Sequence, residues 1–220
     1  MRTIPLLALP LLVSTAAADP AEAPASTGDP GYAMGVRVGG YGFRREGAMN
    51  QAGGWNECRM NGVGVFADRA LTGPLFVEAG LDTYFTVSQP AGDLPIDRAS
   101  ALLSVAGGAR TQLTSWLRGY VQLGAGVELT RVSVPYGDAD TIREDKVLPE
   151  GFFGFGGDIK IGDKTSIGTN VRVHVMGNFE YDPAKLQMTN QWVAPPPASS
   201  VFDASPGLAA QAQFYFRRAL

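Results

Sequence analysis

The sequence predicts an all-β fold: eight antiparallel strands joined up-and-down and closed into a barrel. Three observations predict it. Eight segments between Ala33 and Arg217 alternate apolar and polar residues with period two, as strands with two unlike faces do. Their connections alternate in length. Ala70–Pro74, Leu113–Trp116 and Gly162–Thr165 are tight, whereas Arg45–Cys58, Ser88–Arg98, Val132–Glu150 and Asp182–Ser200 are long. Helical periodicity is absent throughout. Such a meander gathers the short turns and both termini at one end and the long loops at the other.

The first 31 residues are read apart from the barrel. Arg2, the apolar run Ile4–Val13 and Ala16-Ala17-Ala18 make the three regions of a secretory signal peptide, residues 1–18, with Asp19 expected to begin the mature chain. The apolar run is too short to cross a bilayer as a helix. Residues 19–31, rich in Pro, Ala and Ser, read as a flexible leader, and residues 32–220 as the barrel.

The first strand spans about Ala33–Arg44, with Met34, Val36 and Val38 opposite Arg37. Gly39-Gly40 reads as a bulge, after which Tyr41 and Phe43 take over the apolar face. The second, about Met60–Arg69, puts Val63, Val65 and Ala67 on one side. In the third, Leu75, Val77, Ala79, Leu81, Phe85 and Val87 oppose Glu78, Gly80, Asp82 and Tyr84. The fourth, about Ala99–Gln112, sets Leu103, Val105 and Ala109 against Ser104, Gly108, Arg110 and Gln112. The fifth sets Leu117, Val121, Leu123, Ala125, Val127 and Leu129 against Arg118, Tyr120, Gln122, Glu128 and Thr130. The sixth, about Gly151–Ile161, opposes Phe153, Phe155, Ile159 and Ile161 to Asp158 and Lys160. The seventh opposes Ile167, Val171, Val173, Val175, Phe179 and Tyr181 to Asn170, Arg172, His174 and Asn178. The eighth, about Val201–Arg217, opposes Phe202, Leu208, Ala210, Ala212, Phe214 and Phe216 to Gln211, Gln213, Tyr215 and Arg217. Most runs exceed the roughly 9–11 residues that cross a bilayer at a tilt, so the surplus is expected to project on the long-loop side. Pro195-Pro196-Pro197 suits an exposed loop.

Composition narrows the function classes. Without Arg2 the chain has 17 basic and 21 acidic residues, so no basic footprint for nucleic acid exists. No apolar run of about 18 residues follows the signal region, so no transmembrane helix is expected. Yet 45% of residues are hydrophobic and 28 are Gly, as alternating membrane strands allow. Cys58 is the only cysteine, which rules out an internal disulfide and reads as an incidental loop residue.

Alternation alone fits two barrels. In one the apolar face meets lipid; in a soluble lipocalin-like barrel it lines a ligand cavity. Loop asymmetry favours the first. So does the polar face, which carries Arg37, Glu78, Asp82, Arg110, Arg118, Glu128, Asp158, Lys160, Arg172 and Arg217 among Gly, Ser, Gln and Asn. Eight strands enclose just enough space for side chains to fill, so these charges, with His174, are expected to neutralise one another as a lumen network. Glu78 and Asp82 are expected to pair with Arg110 or Arg118, because unpaired buried charge is costly. Aromatics give the third indication. Tyr41, Phe43, Phe85, Phe179 and Tyr181 fall near the long-loop ends, and Phe76, Trp116, Phe214 and Phe216 near the short turns, as two interfacial girdles would.

With these features the chain resembles the small eight-stranded outer-membrane barrels of Gram-negative bacteria, of the OmpA transmembrane-domain and OmpX type, over Ala33–Leu220. The resemblance implies outer-membrane localisation, a shell of outer-membrane lipid, and insertion by the barrel-assembly machinery. Gln211–Phe216 supplies the terminal alternation that this machinery reads, although the chain continues with Arg217-Arg218-Ala219-Leu220 where the pattern ends on an aromatic. The implied roles are structural support, surface contact through the long loops with a ligand the sequence does not name, or very narrow solute passage.

No catalytic, cofactor or metal residue is assigned. Some small barrels modify lipids, and such chemistry here would need the single histidine, His174, beside a serine or acid near the lipid boundary. No nucleophile motif surrounds it. Gly151–Gly157 lacks the Lys-Ser/Thr and the helix of a phosphate loop. Asp138, Asp140, Glu144 and Asp145 read as a solvated acidic loop. The soluble ligand barrel and the lipid-modifying barrel stand as the two alternatives.

Overall fold

The computed structural model describes residues 31–43, 58–88, 97–136, 140–181 and 202–220. The expected signal peptide and the leader as far as residue 30 lie outside the described residues. Eight strands follow in order: β1 (Tyr32–Phe43), β2 (Cys58–Ala70), β3 (Leu75–Ser88), β4 (Asp97–Gln112), β5 (Leu117–Tyr136), β6 (Asp140–Lys160), β7 (Thr165–Tyr181) and β8 (Phe202–Ala219). Each pairs antiparallel with the next, and β8 pairs with β1 to close the barrel. No edge is left around the wall at mid-height, so the backbone satisfies itself there without water.

The closing strand uses the residues beyond Phe216. Gly35 pairs with Arg217 and Met34 with Arg218. Ala219 N–H donates to the Lys164 carbonyl at 2.7 Å, and Leu220 N–H to Tyr32 at 2.9 Å. Both described termini therefore sit at the short-turn end. In the first turn, Gly73 takes a φ of 67°, a left-handed conformation that suits Gly. In the second, Thr114 Oγ1 accepts from the N–H of Leu117 at 3.0 Å and fixes the chain reversal.

The two faces of the wall settle the orientation of the alternation. Leu103, Leu123 and Phe214 stand 62%, 69% and 68% exposed on the outside. Arg172 and His174, at 0%, and Asp82, at 1%, are sealed inside. Val121, Leu123, Val171 and Val173 point outward, and Glu128 and Arg172 inward, so the cavity of a lipocalin-like barrel is not formed. The apolar belt runs around every strand. Water would penalise it at about 25 cal/mol per Å².

Several sequence readings are corrected. No bulge occurs at Gly39-Gly40; β1 pairs in unbroken register with β2 and β8. Tyr41 therefore keeps the parity of Arg37 and lies inside at 4% exposure. The register irregularity lies between Arg59 and Met60. Phe76 is also interior, at 2%, because it shares the parity of Glu78. Phe85, Trp116, Phe214 and Phe216 are on the outside, while the side chains of Phe43, Phe179 and Tyr181 are outside the described set. Cys58 begins β2 instead of lying in the loop before it. The long loop Val132–Glu150 is largely strand: β5 and β6 continue as a ladder to the pair Tyr136–Asp140. Hydrogen bonding to β5 carries β6 through a segment whose two faces are both polar, where alternation gives no signal.

Candidate functional site: a charged lumen and its outer seam

The inward residues form stacked layers. Nearest the short turns, Asp68 accepts from Arg217 Nε at 2.6 Å and Nη2 at 2.8 Å, and from Arg110 Nη1 at 3.3 Å. Arg118 Nε donates to Asp158 Oδ1 at 2.7 Å, and Tyr215 OH to Asp158 Oδ2 at 3.3 Å. In the middle, Arg37 spans two strands. Its Nε and Nη2 donate to both oxygens of Asp82 at 2.6 Å, and Nη1 to Glu78 at 2.7 Å. Arg172 Nη2 reaches the same Glu78 oxygen at 2.8 Å, and its guanidinium lies over the Phe152 ring at 4.6 Å. Gln122, in the amide orientation its donors require, accepts from Arg172 Nε at 2.8 Å.

Higher, Tyr84 OH accepts from Gln211 at 2.6 Å and Gln213 at 3.0 Å. His174 lies 3.0 Å from Glu150 through Nδ1 and 3.2 Å from Gln211 through Nε2, between the rings of Tyr41 and Phe152. Tyr41, Met60, Tyr84, Met176 and Ala209 form a buried apolar cluster at the same level. Glycines make this filling possible. A Cβ at Gly80 would overlap Arg37, one at Gly64 would overlap Asp82, and one at Gly168 would overlap Tyr215. The enclosed space bounded by Arg37, Phe66, Phe76, Tyr120 and Tyr215 holds about 10 Å³, close to the minimum for one water. The lumen is a packed polar core.

At the outer end the wall has a seam. β5 and β6 are paired over 20 residues, but β6 and β7 only from Gly151–Val175 to Lys160–Ser166. The next odd pair in that register would be Pro149 with Gly177. Ile161 N–H donates to Thr165, toward β7, and Lys160 N–H to Trp116, toward β5. Odd residues of β6 thus face β7, and Pro149 is one of them. It has no N–H to give. The Gly177 carbonyl instead accepts from Arg98 Nη1, reaching across the lumen at 3.1 Å. Arg98 is held by Glu128 at 2.7 and 2.6 Å. Leu148 covers Gly177, where a Cβ would overlap it.

Beyond the seam, exposed Arg131 and Asp145 form a two-point pair at 2.7 and 3.0 Å. That hydrogen bond holds the Asp145 carboxyl below its ordinary value. Lys146 meets Glu144 at 2.7 Å. Two members of the acidic stretch therefore already have cationic partners, while Asp138 lies outside the described residues.

No protein-family model matches the chain, and no curated protein matches it in sequence. Solved structures match in architecture. Neisserial surface protein A (NspA) superposes with a TM-score of 0.53 at 11% identity, covering 86% of this chain and 96% of that one. Ail, the attachment invasion locus protein of Yersinia pestis, gives 0.52 at 8%, covering 88% and 100%. The fold is that of the small outer-membrane β-barrels.

Within this barrel, the sequence-predicted polar residues fall into separate clusters. Arg37, Glu78, Asp82 and Arg172 form one; Arg110 and Arg217 share Asp68; Arg118 holds Asp158; Glu128 holds Arg98; His174 meets Glu150. Glu78 and Asp82 thus pair with Arg37 and Arg172 and not with Arg110 or Arg118. Lys160 joins no cluster among the described residues: it has the inward parity but is exposed, because it ends β6 where the lumen meets solvent. Sequence reasoning missed Asp68, Arg98 and Glu150. Asp68 has the parity opposite Val65 and Ala67, a usable signal. Arg98 and Glu150 close the long connections Ser88–Arg98 and Val132–Glu150, where the sequence offers no alternation from which to take a parity.

Proposed function

We propose that the chain is an integral outer-membrane barrel with a sealed lumen, serving envelope structure and surface contact through its long-loop end. The observation that carries this reading is the apolar outer belt around a buried, ion-paired interior that also packs Tyr41, Met60, Tyr84, Met176 and Ala209 together. The belt is a surface for outer-membrane lipid. The alternation from Gln211 to Phe216 is the segment offered to the barrel-assembly machinery. The ligand of the outer end is an extracellular one, met by the β5–β6 extension and the segments between strands. The non-enzymatic reading is supported by His174, which has an acid partner but is sealed in the lumen, away from the lipid boundary.

Two measurements test this on detergent-extracted full-length protein. Unboiled protein should migrate differently from boiled protein on a gel, and reconstituted protein should show no steady conductance across a planar bilayer. Protein that stays in aqueous solution without detergent and shows no mobility shift would overturn the membrane barrel. A stable open channel would overturn the sealed lumen.

A further inference from the structure

We propose a phospholipid site on the outer wall near the short-turn end, with an apolar groove for an acyl chain and Arg69 for the phosphate. It rests on the membrane reading above. The groove crosses β2, β3 and β4 and has a volume of about 480 Å³. Ala67, Ala79 and Val105 face outward in one row, with Val77 and Gly107 in the next. Small side chains make the depression. Val65, Leu81 and Leu103, each about half or more exposed, stand as a ridge above it. Gly107 is its open floor, since a Cβ there would meet nothing within 4 Å. The adjoining Asp68 and Glu78 turn their carboxylates into the lumen, so no anion faces the groove from them.

Arg69 supplies the polar end. It pairs in register with Val77 on one side and Tyr32 on the other, one residue before the first short turn. Its guanidinium lies 5.1 Å from the centroid of the exposed Tyr32 ring. This is a cation–π contact that orients the charge without neutralising it. The lumen arginines 37, 98, 110, 118, 172 and 217 all have carboxylate partners. Arg69 has none among the described residues. An unneutralised guanidinium over an apolar trough, at the depth where headgroups begin, matches a glycerophospholipid: a phosphodiester for the fork and a chain for the groove.

The test uses native mass spectrometry of the full-length protein in detergent, after its heat-dependent gel mobility has been confirmed. Added phosphatidylglycerol should be retained, and dioleoylglycerol, which lacks the phosphate, should be retained far less. Arg69→Gln should weaken retention about tenfold, the loss of one charged hydrogen-bonding partner. Gly107→Leu should weaken it comparably by filling the floor, with the gel shift intact. Leu123→Ala, elsewhere on the belt, should change nothing. Equal retention by all four proteins, or a loss in Arg69→Gln with none in Gly107→Leu, overturns the site while leaving the barrel standing. Absence of the gel shift in the unaltered protein overturns the membrane reading and the site with it.

Discussion

Arg37 is the residue on which most of the lumen's neutrality turns. It gives three hydrogen bonds to two carboxylates and is 3% exposed. Replacing it by Met would strand Asp82 with no cation and leave Glu78 only Arg172. Breaking a buried pair by removing one partner costs about 3–5 kcal/mol, because the other charge stays buried. Arg110→Met should cost less, about 1–2 kcal/mol: its contacts to Asp68 are long at 3.3 and 3.4 Å, Arg217 still holds that carboxylate at 2.6 Å, and the stacking of its guanidinium on the Phe76 ring at 4.3 Å is lost. Urea unfolding in lipid vesicles, followed by tryptophan fluorescence, measures both; equal losses would contradict the layered account. The charges themselves were legible in the sequence as one parity of each strand. Their partners were not. Arg37 on β1 reaches Glu78 and Asp82 on β3, two strands away, and that reach depends on inward glycines at positions 64 and 80 and on the stagger of the wall. Stagger is a property of the closed sheet and leaves no mark in any single strand.

The strand β6 shows where the period-two signal and the hydrogen-bonded ladder part company. Its first half carries Thr141, Arg143 and Asp145 outward and Glu144 and Lys146 inward, so polarity does not alternate and the segment reads as loop. Pairing with β5 makes it strand regardless. Pro149, counted in sequence as a loop residue, turns out to end the pairing with β7, and Arg98 bridges the gap. This assigns opposite effects to two substitutions. Pro149→Ala restores an N–H facing Gly177 and should slow amide exchange at residues 175–177. Arg98→Met removes the bridge, leaves Glu128 without that guanidinium, and should speed exchange in the same stretch while the Gly151–Val175 to Lys160–Ser166 ladder stays protected. Exchange measured residue by residue decides it; unchanged rates in both variants would mean that the seam is closed by something other than Arg98.

For the whole molecule, the decisive quantity is which way the alternation points, and sequence periodicity is symmetric to that choice. Loop rhythm and the charge content of the polar face point the alternation the right way, whereas two of the girdle aromatics, Tyr41 and Phe76, lie inside. The outcome rests on totals and survives single errors: a lumen eight strands wide takes large rings wherever glycines face them, so aromatics alone are poor witnesses of the lipid boundary. The belt itself gives the sharper test. Leu123 sits near the middle of the outward apolar run of β5, between Val121 and Ala125, and is 69% exposed. On a water-exposed wall, Leu123→Arg would be close to neutral, as surface substitutions usually are. On a wall facing the bilayer midplane it should cost about 2–4 kcal/mol, and the same change at the rim position Thr111 should cost about 1 kcal/mol or less. Unfolding free energies in phospholipid vesicles for the two variants measure that depth dependence directly. A Leu123→Arg barrel as stable as the parent would mean that the belt does not meet hydrocarbon.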